Sequence, residues 1–154
     1  MPGSPDECAR AVLDAVPLVM RIIRAEMRSH RAPGLSVPQF RALVYLSRRA
    51  GPSLSDVADH LGLTAPSTSV MVDGLVSRGL VARQVHPGDR RRVTLALTPT
   101  GRAAMESAYK MTESRLAERL AELQEPERTM IVEAMRILVP VFAATQGAEA
   151  GPGR

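Results

Sequence analysis

Apolar residues recur at every third or fourth position between residues 7 and 31, at Val12, Val16, Val19, Met20, Ile23 and Met27. That spacing draws one stripe along an amphipathic helix, and Pro17 within it predicts a kink. A second helix is predicted from Ser36-Val37-Pro38-Gln39, where a hydroxyl followed three residues later by Gln makes a capping-box pattern ahead of Phe40, Leu43, Val44 and Leu46. It should run to about Arg49, and Gly51-Pro52 closes it.

Ser53-Leu54-Ser55 opens a short third helix with Val57, Ala58 and Leu61 on its apolar face and Asp56 in the first turn, where the helix dipole favours an anion. Gly62-Leu63-Thr64 then reads as the tight turn that joins the two helices of a helix-turn-helix. Thr64 can cap a fourth helix over 65–78, with Pro66 tolerated in its first turn and Gly79 at its end. At about 100° per residue, Thr68, Met71, Val72 and Leu75 face inward, while Pro66, Ser67, Val70, Gly74 and Ser77 face outward and Ser69 lies at the border. The outward face is small and nearly uncharged, so it can come close to another surface.

Beyond Gly79 the apolar period changes from about 3.6 to 2. Two strands are predicted over 80–85 and 93–97, separated by the loop 86–92, which carries Arg90, Arg91 and Arg92. A hairpin with a basic tip placed directly after a helix-turn-helix is a wing. Thr98 and Pro99 then supply a cap and a first helical position for a helix to about Leu123, with Met105, Tyr109, Leu116, Leu120 and Leu123 as its stripe. A last helix starts at Glu125-Pro126-Glu127, carries Met130, Ile131, Ala134, Leu138, Val141 and Phe142, and ends near Thr145. The Gly- and Ala-rich tail 146–154 has nothing to bury and is expected to be disordered.

The predicted fold is therefore mainly α with a small β-hairpin wing, a single domain of 154 residues. Residues 36–102 form a winged helix-turn-helix, flanked by helices over 6–31 and 103–145. The stripes of these flanking helices are too long for one small globule to cover, so they are expected to be dimerisation helices of a homodimer.

Composition agrees with a helical core: the chain is 45% hydrophobic but only 3% aromatic, which leaves Leu, Val, Ile, Met and Ala to fill the interior. No run approaches the roughly 20 apolar residues of a membrane span and no basic-then-apolar leader opens the chain, so a cytoplasmic location without membrane attachment is expected. Cys8 is the only cysteine, and His30, His60 and His86 are scattered over different elements, so neither a metal site nor a bound cofactor is expected.

The net charge is +4, and Lys110 is the only lysine, so the positive side chains are nearly all forked guanidinium groups suited to phosphate and base edges. Their placement matters more than their sum. No Lys or Arg falls between Arg49 and Arg78, whereas Arg83, Arg90, Arg91, Arg92 and Arg102 follow against Asp89 alone. An enzyme is a poor fit, because the chain has no Gly-rich phosphate loop and no nucleophile elbow. Glu118 and Glu122 share a helix face, but ion pairs such as Arg115 with Glu118 explain them.

Four stretches in order carry a resemblance: Pro38-Gln39-Phe40-Arg41-Ala42-Leu43; Leu54-Ser55-Asp56-Val57-Ala58-Asp59-His60-Leu61-Gly62-Leu63-Thr64; Val72-Asp73-Gly74-Leu75-Val76-Ser77-Arg78-Gly79-Leu80-Val81; and Asp89-Arg90-Arg91 with Leu97-Thr98-Pro99-Thr100-Gly101-Arg102. Together they resemble the multiple-antibiotic-resistance regulator (MarR) family of winged-helix transcription factors, closely over 36–102 and in length and character outside it.

The resemblance implies a homodimer on double-stranded DNA, at a pseudo-palindromic operator, and a repressor released by a small-molecule effector. The recognition helix would lie in the major groove through Thr64, Pro66, Ser67, Ser69 and Val70, and the wing would act through Arg83, Asp89, Arg90, Arg91 and Arg92. The family's Asp-x-Arg wing pattern is matched by Asp89 and Arg91; Arg91 would enter a narrow minor groove while Arg90 and Arg92 hold phosphates. Met27 and Tyr45 are the candidate ligand-lining residues.

This chain departs from many relatives in its neutral recognition-helix face, which puts weight on Ser67 and Ser69 hydroxyls, on apolar contact from Val70 or Pro66, and on the wings. That neutrality keeps two alternatives open, a protein-binding antagonist and a small-molecule-binding protein with weak DNA affinity. One branch of the family senses oxidants through a cysteine in its first helix, but Cys8 sits near a helix end with no Tyr beside it to favour a thiolate.

Overall fold

The computed structural model describes residues 3–29 and 34–143. In chain order these form α1 (Pro5–Ser29), α2 (Val37–Arg48), α3 (Leu54–Leu61), α4 (Ala65–Ser77), β1 (Val81–His86), β2 (Asp89–Leu97), α5 (Pro99–Leu120) and α6 (Glu125–Ala143). This is the mainly helical fold with a two-stranded hairpin that the periodicity predicts. The expectations for residues 30 and 31, for Thr145 and for the tail 146–154 lie outside the described residues.

Each helix of the central region starts where its sequence supplies a partner for free backbone N–H groups. Ser36 Oγ accepts from the Gln39 N–H at 3.3 Å while Gln39 Oε1 accepts from the Ser36 N–H at 2.9 Å, the reciprocal box read from the sequence. A second box, not anticipated, opens α3: the Asp56 N–H donates to Ser53 Oγ at 3.1 Å and the Ser53 N–H donates to Asp56 Oδ2 at 2.7 Å. Thr64 caps α4 through the Ser67 N–H at 3.3 Å. Between α3 and α4, Gly62 takes φ 66°, a left-handed conformation that costs a glycine little, and its N–H turns back to the Ala58 and Asp59 carbonyls. That single residue sets the sharp turn between the two helices.

The chain divides into two compact units, Met1–Glu113 and Ser114–Arg154. The core of the first gathers Leu35, Leu43, Val57, Val72, Leu75, Leu80, Val81 and Leu95, each at most 2% exposed. Thr68 joins them fully buried, its hydroxyl satisfied by donating to the Thr64 carbonyl at 2.9 Å. Phe40 stacks on Tyr109 with ring centroids 6.5 Å apart. In the second unit, none of α6's residues is buried, and Met130, Ile137 and Phe142 are more than half exposed.

Helix α1 runs unbroken through Pro17 and buries Met27 alone. Val16 and Val19 of its predicted stripe remain 48% exposed. Boundaries differ from the sequence reading at α5 and at the start of β1. α5 ends at Leu120 rather than near Leu123, and Leu80 lies in the core just ahead of β1 instead of beginning it. No helix among the described residues is long and apolar enough to cross a membrane.

The start of α5 is fastened to the turn after α4. Thr98 Oγ1 donates to the Gly79 carbonyl at 2.6 Å and accepts from the Gly101 N–H at 2.9 Å, while the Thr98 N–H donates to the Leu80 carbonyl at 3.2 Å. Gly101 packs so tightly there that a Cβ built on it would stand 2.0 Å from the Leu80 carbonyl oxygen. The Thr-Pro-Thr-Gly stretch therefore serves as a clasp, with hydroxyl, fixed φ and missing Cβ each used once.

Candidate nucleic-acid interface

The two faces of α4 separate as its sequence predicts except at Gly74, expected outward and found half-buried. Thr68, Val72 and Leu75 are buried and Met71 packs against the core, while Pro66, Ser67, Val70 and Ser77 are exposed and Ser69 is half-buried. Val70 is 73% exposed at the middle of the helix. Near the start of the same face, Thr64 Oγ1 donates to Ser67 Oγ at 3.0 Å, so both hydroxyls sit at one corner of the helix with the Ser67 oxygen still able to donate outward. α4 begins with no acidic residue in its first turn, so nothing opposes an anion there.

The wing differs from the loop predicted over 86–92. β2 begins already at Asp89, and the turn is only Pro87-Gly88. Val85 pairs with Val93, yet His86, the very next residue, pairs with Asp89. One step along β1 is thus matched by four along β2, and Arg90, Arg91 and Arg92 are the surplus, bulged out of the ladder. All three are exposed. Asp89 shapes this bulge: its Oδ1 accepts the Arg91 backbone N–H at 2.9 Å, and the Gly88 N–H donates to His86 Nδ1 at 3.1 Å. The hairpin is buried at its base, by Val81 and Leu95, and exposed from Arg83 and Val93 outward.

Arg83, expected as a direct contact, is already engaged: its guanidinium forms an ion pair with the Asp73 carboxylate on α4. That pair ties β1 to α4. At the other end, Arg78 Nη2 donates to the Gly34 carbonyl at 3.1 Å, linking the close of α4 to the approach to α2. The Leu95 N–H donates to the Pro52 carbonyl at 2.8 Å, so the wing's base is also fixed against the start of α3. Sequence reading missed Asp73, since a pair ten residues apart across a helix, a turn and a strand leaves no periodic signal.

Electrostatics mark the same neighbourhood. The Asp56 carboxyl is held below its ordinary range chiefly by the Ser53 N–H and hydroxyl, with Arg92 and Arg49 adding positive potential. His60 is pushed below its ordinary value by burial first, then by Arg41, Arg49 and Arg48. Its ring stacks on Tyr45 at 4.3 Å, and the Arg49 guanidinium lies 5.9 Å from the Tyr45 centroid. A ligand using Tyr45 would compete with those contacts. Met27 is buried at the end of α1, and Cys8 is exposed near its start. Among the described residues no group of three or more His, Cys, Asp or Glu could hold a metal ion.

Comparison with known proteins gives the arrangement its relatives. A family model described as "MarR family" matches residues 34–92. An HTH-type transcriptional repressor of Mycobacterium tuberculosis is 30% identical over 108 residues, covering 70% of this chain and 78% of the relative. An uncharacterized HTH-type transcriptional regulator of Mycobacterium bovis is 28% identical over 134 residues, 87% of this chain and 94% of its own. Among solved structures, RV1404 from Mycobacterium tuberculosis aligns with a TM-score of 0.77 and 29% identity, over 93% of this chain and 97% of that one. Wild-type MarR from E. coli in its apo form shares the fold, with a TM-score of 0.68 and 21% identity over 81% of this chain and 94% of that one.

Proposed function

The chain belongs to the MarR family of DNA-binding transcriptional regulators, which are not enzymes, and from that premise we propose that it is a homodimeric, sequence-specific repressor that a small molecule releases from its operator. One observation carries the DNA geometry: an open α4 face whose one charge, Asp73, is paired with Arg83, accompanied by a wing whose three consecutive arginines are bulged away from its own sheet. A helix with small exposed side chains seats deeply in a major groove, where Thr64, Ser67 and Ser69 offer hydroxyls, and Val70 and Pro66 can meet a thymine methyl. Without an arginine on that face, forked guanine reading is not open to it, and affinity falls to phosphate contacts and the wing.

Arg91 enters the minor groove, because its backbone is the one Asp89 holds in place, and Arg90 and Arg92 flank it on phosphates. Arg83 serves the wing through Asp73. Dimerisation is supported by the apolar residues left exposed on α1 and on α6, a second copy being the natural cover. The winged helix-turn-helix of 36–102 would then be presented twice, at half-sites about 34 Å apart. An effector need only favour a different spacing, with a coupling of roughly 1–3 kcal/mol. Met27 and Tyr45 are the proposed lining. The neutral α4 face favours one second reading, a family member that binds another protein in place of DNA.

Selection from randomised duplexes at two salt concentrations separates these. A repressor enriches a palindrome flanked by A·T pairs and loses affinity steeply with salt; enrichment of nothing at low salt rejects it in favour of the protein-binding reading. Arg91→Ala should weaken A·T-flanked sites most, by about 1–3 kcal/mol, and an equal loss on every duplex would remove Arg91 from the minor groove.

A further inference from the structure

At the base of the wing, far along β2 from the Pro87-Gly88 turn, lies a cleft of about 420 Å³ between the end of α2, the end of β2 and the start of α5. Its apolar wall is Leu46, Ala96 and Leu97, and its charged rim is Arg48, Arg49 and Arg102. No Asp or Glu lines it, and none of these three arginines forms an ion pair among the described residues. Arg49 leans over Tyr45; Arg48 and Arg102 are exposed.

Gathering three guanidinium groups around one hollow that no acidic side chain lines, with Asp56 acting on Arg49 from outside it, raises the local positive potential, which an entering anion relieves. The cleft is open to solvent over much of its extent and falls within the size range of small-molecule sites, where an apolar wall with a few polar groups at its edge is the usual composition. Ala96 and Leu97 lie four to seven residues along β2 from the bulged Arg90–Arg92, so at roughly 3.3 Å per residue the cleft stands about 13–23 Å from the basic bulge.

We propose that this cleft binds a small organic oxyanion, with a phosphate or carboxylate head held by Arg48, Arg49 and Arg102 and an apolar body against Leu46, Ala96 and Leu97. The head meets forked donors that match its planar or tetrahedral oxygens. Because the cleft joins α2 to the strand whose Leu95 is tied to Pro52, an occupant braces the wing's base.

The test is calorimetric titration of the full chain, without DNA, using phenyl phosphate, inorganic phosphate and benzyl alcohol. Phenyl phosphate should bind once per chain and about tenfold or more tighter than inorganic phosphate, while benzyl alcohol should give no heat of binding. Arg48→Gln and Arg102→Gln should each weaken phenyl phosphate about tenfold, and Ala50→Glu, which supplies an internal counter-charge at the rim, should abolish it. Arg90→Gln on the wing should leave it unchanged. Phenyl phosphate affinity that survives both arginine changes and Ala50→Glu overturns the assignment, as does equal binding of benzyl alcohol. If Arg48→Gln and Arg102→Gln instead each reduce the salt slope of duplex binding by about one, these arginines belong to the DNA-binding surface and the assignment is again overturned. Since the titration contains no DNA, a chain that fails to select an operator can still pass it, and the two failures remain distinguishable.

Discussion

Gly101→Ala is the sharpest test of the clasp between α5 and the turn after α4. In most helices this exchange stabilises by about 1 kcal/mol, since alanine is the better helix former. Here the new Cβ would stand 2.0 Å from the Leu80 carbonyl oxygen, 2.8 Å from Leu97 Cδ1 and 2.9 Å from the Leu80 carbonyl carbon. Ordinary contact begins near 3.4 Å, so the helix must withdraw by about 1.4 Å (3.4 less 2.0). The obstacle is backbone and cannot rotate aside. Withdrawal also stretches the Thr98 N–H bond to that same Leu80 carbonyl, now 3.2 Å. Overpacking costs about 1–3 kcal/mol and a weakened hydrogen bond about 0.5–1.5 kcal/mol, against the gain of about 1 kcal/mol from helix propensity. The net loss is therefore about 2 kcal/mol, or a fall in Tm of roughly 4–8 °C for a chain of this size. Circular dichroism melts at one fixed protein concentration measure it. Gly74→Ala is the internal control, because nothing lies within 4 Å of its ideal Cβ, and it should raise Tm by roughly 2–4 °C. If Gly101→Ala melts at or above the parent temperature, the close approach does not constrain α5.

The Asp73–Arg83 pair is exposed, so losing it should cost at most about 1 kcal/mol of stability. In a double-mutant cycle on operator affinity, Asp73→Ala and Arg83→Ala should be strongly non-additive, the double variant binding no worse than Arg83→Ala alone; additive losses would return Arg83 to a phosphate. His60 makes a pH prediction. Its folded pKa lies below the ordinary value, so the unfolded chain takes up the proton first, and stability falls as pH drops below about 6.5 while it is untouched above. His60→Gln should flatten that loss in urea titrations between about pH 6.5 and 5, and an unchanged slope would place the acid sensitivity elsewhere. Asp56, whose pKa is also lowered, loses its stabilising contribution only in the more acidic carboxylate range.

Local chemistry made much of this fold legible. The Ser36–Gln39 box, the Thr64 cap and the Gly62 turn depend on residues within four positions of one another, and each appears where its sequence pattern lies. The inward and outward faces of α4 were equally readable, because a helix enforces a fixed rotation per residue. The Ser53–Asp56 box was missed although its Ser-x-x-Asp pattern was present. Other features had no local signal. The wing's register shift depends on which of two strands absorbs the surplus, and alternation alone does not say. Asp73 with Arg83, Tyr45 with His60, and the tightness at Gly101 all join segments distant in sequence, where only the assembled core decides who meets whom.

The four-for-one pairing above Val85 has a further consequence. Everything that ties the hairpin to the core lies below the Val85–Val93 rung, so the slack strand beyond it is held only by its own tip, through the Asp89 carboxylate, the His86 ring and the His86–Asp89 pairing. A fingertip built in that way can be lengthened or shortened without re-threading the palm. Reach along a double helix is then a dial separate from the stability of the hand that carries it.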